Sequence, residues 1–334
     1  MQQPKEKQKS LLEVFNKFAR DAVRDFPDLQ GKLAILDVDT GKYTTGTVDL
    51  EKTGFVSMTG LNNYVTACLR EAKKQKVSLA FRVGVDDFHV IAVNGGLRGL
   101  VSSPERKTTF LLNHELGHYV VPGAYYNKDS MLYEKNHGEC AADVYACLKL
   151  FQQYGTKTGY ARALAGVRAI DFIFRGHGGR HFTSFAVEAV NVLKYKIDFT
   201  KLTPEQMVVL SKRIAERFSP GQKVLTSLTE TFADLRKGFT AQTSFEEKMK
   251  ALADLICKDD VDYYTFKAGA SILSVGLKKG LSAWDKRMDL TTEYWNGVRK
   301  KLKEKEFKLV EKDLLRDIPQ VKGNVIPFPK PPSR

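Results

Sequence analysis

One short segment constrains this chain more than any other: His114, Glu115 and His118 follow the order H-E-x-x-H inside an apolar run. On an α-helix, side chains four residues apart lie on one face, a single turn from each other. Two imidazoles on one face can bind one zinc ion, and Glu115 can then reach a zinc-bound water. The segment therefore predicts a helix that carries a metal site, with the chemistry of metal-assisted peptide-bond hydrolysis.

A second helical pattern, over residues 139–150, supplies the acidic side chains that such a site needs. Glu139 and Asp143 lie one turn apart on a face otherwise made of small and apolar residues. Burial of a carboxylate without a partner is very costly, so both need a cation or strong hydrogen-bond donors. Zinc would satisfy Glu139, and the N–H of a ligand imidazole would satisfy Asp143. The sequence thus predicts a Zn2+ site formed by His114, His118 and Glu139, with Asp143 orienting a ligand histidine.

These motifs resemble those of the gluzincin metallopeptidases, and within them the ImmA/IrrE-type group. The resemblance covers roughly residues 60–150, under half of the chain. Its features are H-E-L-G-H, the later E-x-x-A-D-x-x-A pattern over 139–146, an apolar strand that ends in Val93 and Asn94, and Ser103-Pro104-Glu105-Arg106 before the motif. The resemblance implies an α+β fold: a zincin-like catalytic domain with a small, mostly antiparallel sheet and an H-E-x-x-H helix, followed by a mainly helical C-terminal half.

Two neighbouring zinc families do not fit the sequence. A metzincin needs glycine at the position of Val121 and a third ligand at the position of Ala124. A peptide deformylase uses a cysteine ligand in an upstream Glu-Gly-Cys context, whereas Cys68 lies in Thr-Ala-Cys-Leu. Both interpretations therefore fail on the residues that carry them.

The resemblance implies a zincin-like metallopeptidase domain over 1–155. The patterns beyond it indicate a helical domain or lobe over 156–320 and a disordered, proline-rich tail over 321–334. In the first part we expect a helix capped by Ser10, a hairpin over 32–50, a helix over 61–76 and strands over 78–85 and 88–94. A helix that begins at Pro104 carries the zinc motif. Beyond Gly155 only helical patterns occur, over 160–174, 184–195, 204–218, 222–235, 244–257, 263–278 and 281–305.

The resemblance also implies where a substrate would lie. In zinc peptidases the strand beside the active site often accepts the substrate as an added strand, held by main-chain hydrogen bonds. We expect the strand over 88–94 to take that role, with Phe88, Val90 and Ala92 as substrate-binding residues. Tyr125 and Tyr126, in a tyrosine-rich loop before Glu139, are predicted to form one wall of the cleft.

A zinc peptidase also needs a donor that stabilises the oxyanion. His177 and His181 are the candidates because they lie in a glycine-rich segment, and glycines let the backbone approach a substrate. The alternative is an ordinary loop between two helices. We predict His177 and His181 as catalytic residues beside Glu115. The other possible donors are Tyr119, Tyr125 and Tyr126.

The formal net charge of +14 is typical of chains that attract anionic partners, including nucleic acid. No nucleic-acid-binding motif accompanies the charge, so that partner is an expectation from charge alone, and a solvated basic surface explains the charge equally well. No apolar run is long enough to span a bilayer, and the N-terminus lacks a secretory signal. The four cysteines form no C-x-x-C pair and indicate reduced thiols. We expect a cytoplasmic protein, with a dedicated secretion system left open.

Three functions compete. The first is a zinc-dependent endopeptidase that cleaves a specific protein or peptide substrate, with Glu115 as the general base. The second is a zinc-bearing scaffold with weak catalysis, whose helical half binds a protein or nucleic-acid partner. The third is an effector or toxin that is delivered into another cell.

Overall fold

The computed structural model describes residues 11–31, 33–37, 42–43, 63, 80–85, 88–93, 104–126, 129–176, 179–277, 287–304 and 315–320. His177, Asn94, most of the helix predicted over 61–76 and the tail predicted over 321–334 lie outside these residues.

The N-terminal segment forms helix α1 (Leu11–Asp25). Its apolar residues recur at helical spacing, and one face is buried. The chain then makes a short 3-10 turn, Pro27–Leu29, because proline has no amide hydrogen with which to continue the helix. The buried residues of α1 are Val14, Phe15, Phe18 and Ala22.

Four short strands form one sheet in the order β2-β1-β4-β3. The strands β1 and β4 are parallel, with Leu33 opposite His89 and Asp37 opposite Val93. The other two pairs, β1 with β2 and β3 with β4, are antiparallel. The strands are β1 (Leu33–Asp37), β2 (Lys42–Tyr43), β3 (Ala80–Val85) and β4 (Phe88–Val93).

Two helices carry the predicted metal ligands. Helix α2 (Pro104–Val120) contains the H-E-x-x-H motif, and helix α3 (Leu132–Tyr154) contains Glu139 and Asp143. Helix α3 is buried along almost its whole length from Gly138 to Phe151, so it forms the axis around which the neighbouring helices pack. Its thiols, Cys140 and Cys147, are buried and form no disulfide.

The rest of the described chain is helical. A π-helical turn, Asp171–Arg175, continues the helix that begins at Tyr160. The prediction of helices over 160–174, 184–195, 204–218, 222–235, 244–257 and 263–278 is confirmed to within a few residues. Of the helix predicted over 281–305, the described part is helical from Glu293 to Glu304, and residues 281–286 lie outside the described residues. The helices are α4 (Tyr160–Ile170), α5 (Ser184–Leu193), α6 (Pro204–Phe218), α7 (Gln222–Lys237), α8 (Phe245–Ile256), α9 (Tyr263–Gly276) and α10 (Glu293–Glu304).

The α+β fold class expected from the resemblance is wrong. The described chain is mainly α-helical, and its strands have only two to six residues each. The short apolar runs near the N-terminus suggested a sheet-based domain. The interior is instead built by helices packed around α3, because each amphipathic helix buries its apolar stripe against another helix.

Two hydrophobic clusters fill the interior of the described chain. The first joins α1, β1 and the helices α2 to α6, so residues on both sides of position 155 share one core. The second joins the π-helical turn with α7, α8, α9 and α10, around the buried side chain of Trp295. Within the described ranges, no helix combines the length and apolar character that a membrane crossing requires.

Candidate metal centre

The metal ligands predicted from the sequence come together in space. His114, His118 and Glu139 each offer one ligand atom, and these atoms all lie within 4.8 Å of one another. The three side chains are buried, with exposed fractions of 6%, 3% and 2%. In the described part of the chain, this is the one group of histidine, cysteine and acidic side chains close enough to hold a metal ion.

A close crossing of α2 and α3 brings the ligands together. A β-carbon on Gly117 would lie 2.9 Å from the α-carbon of Ala142, so only glycine fits at this point of α2. A second contact of this kind fixes the loop between the two helices. A β-carbon on Gly138 would lie 2.5 Å from the carbonyl oxygen of Ala124, which places residues 124–126 directly on α3.

The loop orients His118. Its Nδ1 lies 2.9 Å from the carbonyl oxygen of Ala124. A carbonyl oxygen only accepts hydrogen bonds, so Nδ1 carries the proton and Nε2 carries the lone pair. That tautomer presents Nε2 as the metal-binding atom.

At His114, a carboxylate takes the place that the carbonyl oxygen of Ala124 takes at His118. Its Nδ1 lies 2.7 Å from Oδ1 of Asp143, the distance of a hydrogen-bonded ion pair, although the ring is turned from the ideal N–H direction. Its Nε2 lies 3.4 Å from Oε2 of Glu139. Asp143 thus contacts a ligand histidine, as the sequence predicted, and leaves Nε2 on the side of the other ligands.

Electrostatics at His114 favour a cation. Burial acts to lower the pKa of His114, but Asp143 and Glu139 outweigh it and raise that pKa from 6.5 to about 10. Two buried carboxylates therefore draw positive charge to this imidazole. A divalent metal ion bound at Nε2 would meet the same attraction.

In the described part of the chain, each oxygen of Glu139 lies near a protein partner, but only Oε1 accepts a well-aligned hydrogen bond. The hydroxyl of Tyr126 donates to Oε1, and Nδ1 of His181 lies 3.0 Å from Oε2. Burial acts to raise the pKa of Glu139, but His114 and His181 outweigh it and hold that pKa well below the usual 4.5. No hydrogen bond with good geometry reaches Oε2 within the described residues, although two imidazole nitrogens lie near it. A buried, ionised oxygen in that position fits a metal ligand, so the donor set suits zinc.

Asp143 is the most firmly held carboxylate of the centre, and its side chain is fully buried. Arg168 donates from Nε to Oδ2 and from Nη2 to Oδ1, both at 3.0 Å. The hydroxyl of Thr183 donates to Oδ2 at 2.6 Å. Burial acts to raise the pKa of Asp143, but Arg168 and His114 outweigh it and place that pKa far below 3.8. Asp143 is therefore ionised.

The predicted catalytic residues are Glu115, His177 and His181, and the structure describes two of them. Glu115 is buried on α2, with an exposed fraction of 6%. His181 lies beside Glu139 and accepts a hydrogen bond at Nε2 from Nε of Arg180, at 2.8 Å. His177 lies outside the described residues.

The tyrosines of the loop differ in role. Tyr126 packs edge-on against His118, with ring centroids 5.5 Å apart, and its hydroxyl contacts Glu139. It is therefore a partner of two metal-site residues as well as a candidate wall of the cleft. Tyr125 has an exposed fraction of 63%, which leaves its ring accessible to a substrate.

The expected added-strand role of residues 88–94 is wrong. Phe88, Val90 and Ala92 belong to β4, which is paired on one side with β1 and on the other with β3. Both hydrogen-bonding edges of β4 are therefore occupied, and an extended peptide cannot add to it. Among the described strands, the outer positions belong to β2 and β3.

Three residues of the site were not predicted from the sequence: Asn136, Arg168 and Thr183. The side-chain amide of Asn136 donates to the carbonyl oxygens of Gly179, Arg180 and Phe182, at 2.7, 3.1 and 3.0 Å, and so fixes the turn that carries His181. Arg168 interrupts the apolar stripe of α4, a signal that a buried partner is needed.

Comparison with protein-family models, with curated proteins and with solved structures finds no match for this chain.

Proposed function

We propose that the chain is a zinc-dependent peptidase that hydrolyses a protein or peptide substrate. One observation carries the proposal: two imidazoles and a carboxylate from α2 and α3 converge within 4.8 Å, beside the glutamate of the H-E-x-x-H motif. Three protein ligands of this type, with a fourth position for water or substrate, are the usual set of a catalytic zinc site. The resemblance to gluzincins suggests the peptide bond as the target.

In this proposal each side chain has a defined task. His114, His118 and Glu139 would hold the ion, which would supply a Lewis acid that makes water nucleophilic near neutral pH. Glu115 takes the proton of the attacking water and passes it to the leaving amine. Asp143 and the carbonyl of Ala124 keep the two imidazoles in the tautomer that presents Nε2.

The contacts of His181 favour an orienting role over donation to the oxyanion. Its Nε2 accepts from Arg180, so the proton is on Nδ1, which faces Oε2 of Glu139. Tyr126 holds the other oxygen of the same carboxylate. Together they would fix the plane of Glu139, and we assign them to the ligand rather than to the substrate.

A substrate screen tests the proposal. Wild-type protein and the Glu115→Gln variant, both loaded with zinc, would each be incubated with a peptide library derived from a whole proteome, and new peptide termini would be identified by mass spectrometry. We expect new termini with the wild type only, because glutamine keeps the shape of Glu115 but cannot accept the proton. Equal cleavage by both proteins, or none by either, would overturn the assignment.

One observation favours a second function, a zinc-bearing scaffold with little turnover. The side chains that could hold the ion are nearly inaccessible, as the ligands of closed structural zinc sites are. A small zinc-binding inhibitor such as a hydroxamate separates the two functions. Binding in a calorimeter, with a matching change in the spectrum of the cobalt-substituted protein, indicates an open position and a catalytic site, whereas no binding indicates a structural one.

A further inference from the structure

The fully buried carboxylate of Asp143 has more partners than the orientation of one histidine requires. Oδ1 faces Nδ1 of His114 and also accepts from Arg168, and Oδ2 accepts from Arg168 and Thr183. Paired hydrogen bonds from a guanidinium to both oxygens of a carboxylate fix its plane as well as its position. The direction in which Oδ1 meets His114 is therefore set by Arg168 and Thr183.

Both partners come from beyond position 155, where the sequence predicts a separate helical domain or lobe. Arg168 lies on α4, and Thr183 directly precedes α5. Thr183 is itself fully buried, and the turn that leads to it is tied to α3 by the three hydrogen bonds of Asn136. Residues of the helical half thus reach the buried face of the ligand helix.

We propose that Arg168 and Thr183 are positioning residues of the metal centre, which hold Asp143 so that His114 presents Nε2 to the ion. Arg168 on α4 and Thr183 then belong to the site itself. This inference rests on the proposed metal binding, but it does not depend on which reaction the protein catalyses.

Arg168 and Thr183 act on zinc binding through the orientation of the His114 ring. A ligand histidine binds well only when its ring is held in the coordinating direction before the ion arrives, and the carboxylate behind the ring supplies that restraint. If Thr183 loses its hydroxyl, Oδ2 loses one of its donors. If Arg168 is replaced by an apolar residue, the carboxylate loses two hydrogen bonds and its compensating charge, and is free to rotate away from His114.

Matched variants of the full chain test the proposal. Zinc affinity would be measured by competition with a chromophoric chelator, and the ligand geometry by the visible spectrum of the cobalt-substituted protein. We expect Arg168→Met to weaken zinc binding by about tenfold to a hundredfold, the usual range for outer partners of metal ligands. Thr183→Val removes one hydrogen bond and should weaken binding by about threefold to tenfold. Thr183→Ser keeps the hydroxyl, and Arg162→Met changes an exposed arginine of the same helix, so both should bind zinc as the wild type does.

A double-mutant cycle separates positioning from a general loss of structure. If Arg168 acts through Asp143, then Arg168→Met should add little to the loss of zinc affinity already caused by Asp143→Asn. Full additivity of the two losses would overturn the proposal. If Arg168→Met fails to fold, the comparison of Thr183→Val with Thr183→Ser decides.

The outcomes also distinguish this inference from the proposed function. If the wild-type protein binds no zinc, both the proposed function and this inference are wrong. A wild-type protein that binds zinc, with Thr183→Val and Arg168→Met equal to it in affinity and cobalt spectrum, ends this inference alone. Weakened zinc binding by folded Thr183→Val, with wild-type binding by Thr183→Ser, supports it, because a merely structural role would lower the stability of the metal-free protein without changing the zinc affinity of the folded protein.

Discussion

Gly117 on α2 and Ala142 on α3 approach each other so closely that a β-carbon on Gly117 would lie 2.9 Å from the α-carbon of Ala142. Gly117 directly precedes His118, and Ala142 directly precedes Asp143. The contact between these two residues therefore sets the distance between the helix that carries the imidazoles and the helix that carries the carboxylates.

The first prediction follows from that contact. Gly117→Ala should destabilise the protein by about 1–3 kcal/mol, because the added methyl group meets backbone and the helices must move apart. Zinc affinity should fall as well, since the two ligand helices separate. Chemical denaturation and chelator competition measure the two effects.

Gly166 provides the control for this substitution. It is a buried glycine within α4, and a β-carbon there would have no other atom within 4 Å. Gly166→Ala should therefore stabilise the protein by about 0.5–1 kcal/mol, because alanine restricts the unfolded chain more than glycine does. Equal effects of the two substitutions would contradict the close crossing at Gly117.

Tyr126→Phe tests the hold on Glu139. The substitution removes the hydroxyl that donates to Oε1 and keeps the ring that packs against His118. We expect zinc affinity to fall about tenfold, as for other outer partners of ligands. Tyr125→Phe, at the exposed neighbouring tyrosine, should leave zinc affinity unchanged. Identical affinities for the two variants would remove Tyr126 from the centre.

Asn136→Ala tests the anchoring of the turn over residues 179–182. The substitution leaves three carbonyl oxygens without the amide that satisfies them, which should cost roughly 2 kcal/mol of unfolding free energy. Hydrogen exchange of the turn should accelerate. Asn296→Ala is the control: this exposed residue of α10 hydrogen-bonds to Thr291 and Arg299 but to no residue of the turn, so the exchange of the turn should not change. A turn that exchanges at the wild-type rate would speak against the anchor.

A pH-dependent prediction concerns the ion pair between α1 and α3. Lys149 Nζ lies 2.7 Å from Asp25 Oδ2. Burial acts to raise the pKa of Asp25, but Lys149 and Arg24 outweigh it and lower that pKa below 3.8. A carboxyl with a lowered folded pKa stabilises the protein above the unfolded value, and the contribution disappears as the pH falls through the folded value.

Asp25→Asn should therefore reduce the unfolding free energy near neutral pH, by about 1 kcal/mol for a pair of this kind. The difference from the wild type should shrink as the pH is lowered below 3.8, the ordinary value for Asp25. Denaturation curves at several pH values measure it. A difference that stays constant from neutral to acidic pH would show that the ion pair is not its cause.

The sequence was sufficient to predict which side chains come together at the candidate metal centre, because their signals are local. His114 and His118 lie one turn apart on any helix, and the spacing of Glu139 and Asp143 places both on one buried face. Helix α6 was predicted with its bounds correct from its apolar periodicity alone, and the structure adds a capping box of Thr203 and Gln206 at its start.

The other residues of the site and the fold class could not be predicted, because they depend on contacts between distant parts of the chain. Arg168 and Thr183 lie 25 and 40 residues from Asp143 in sequence, and helical periodicity does not say which faces meet. The fold class was wrong for the same reason: the patterns beyond Gly155 identified helices but not their shared core with α2 and α3. The interior position of β4 depends on its parallel pairing with β1, which no local pattern encodes.

Elemental analysis of the purified full chain tests the central claim most directly. We predict about one zinc per chain in the wild type and in His137→Ala, a histidine of α3 that contacts Ser219 instead of the ligands. His114→Ala and Glu139→Ala should each lose the metal. A wild-type protein without zinc after loading, or retention of zinc by both ligand variants, would contradict the account.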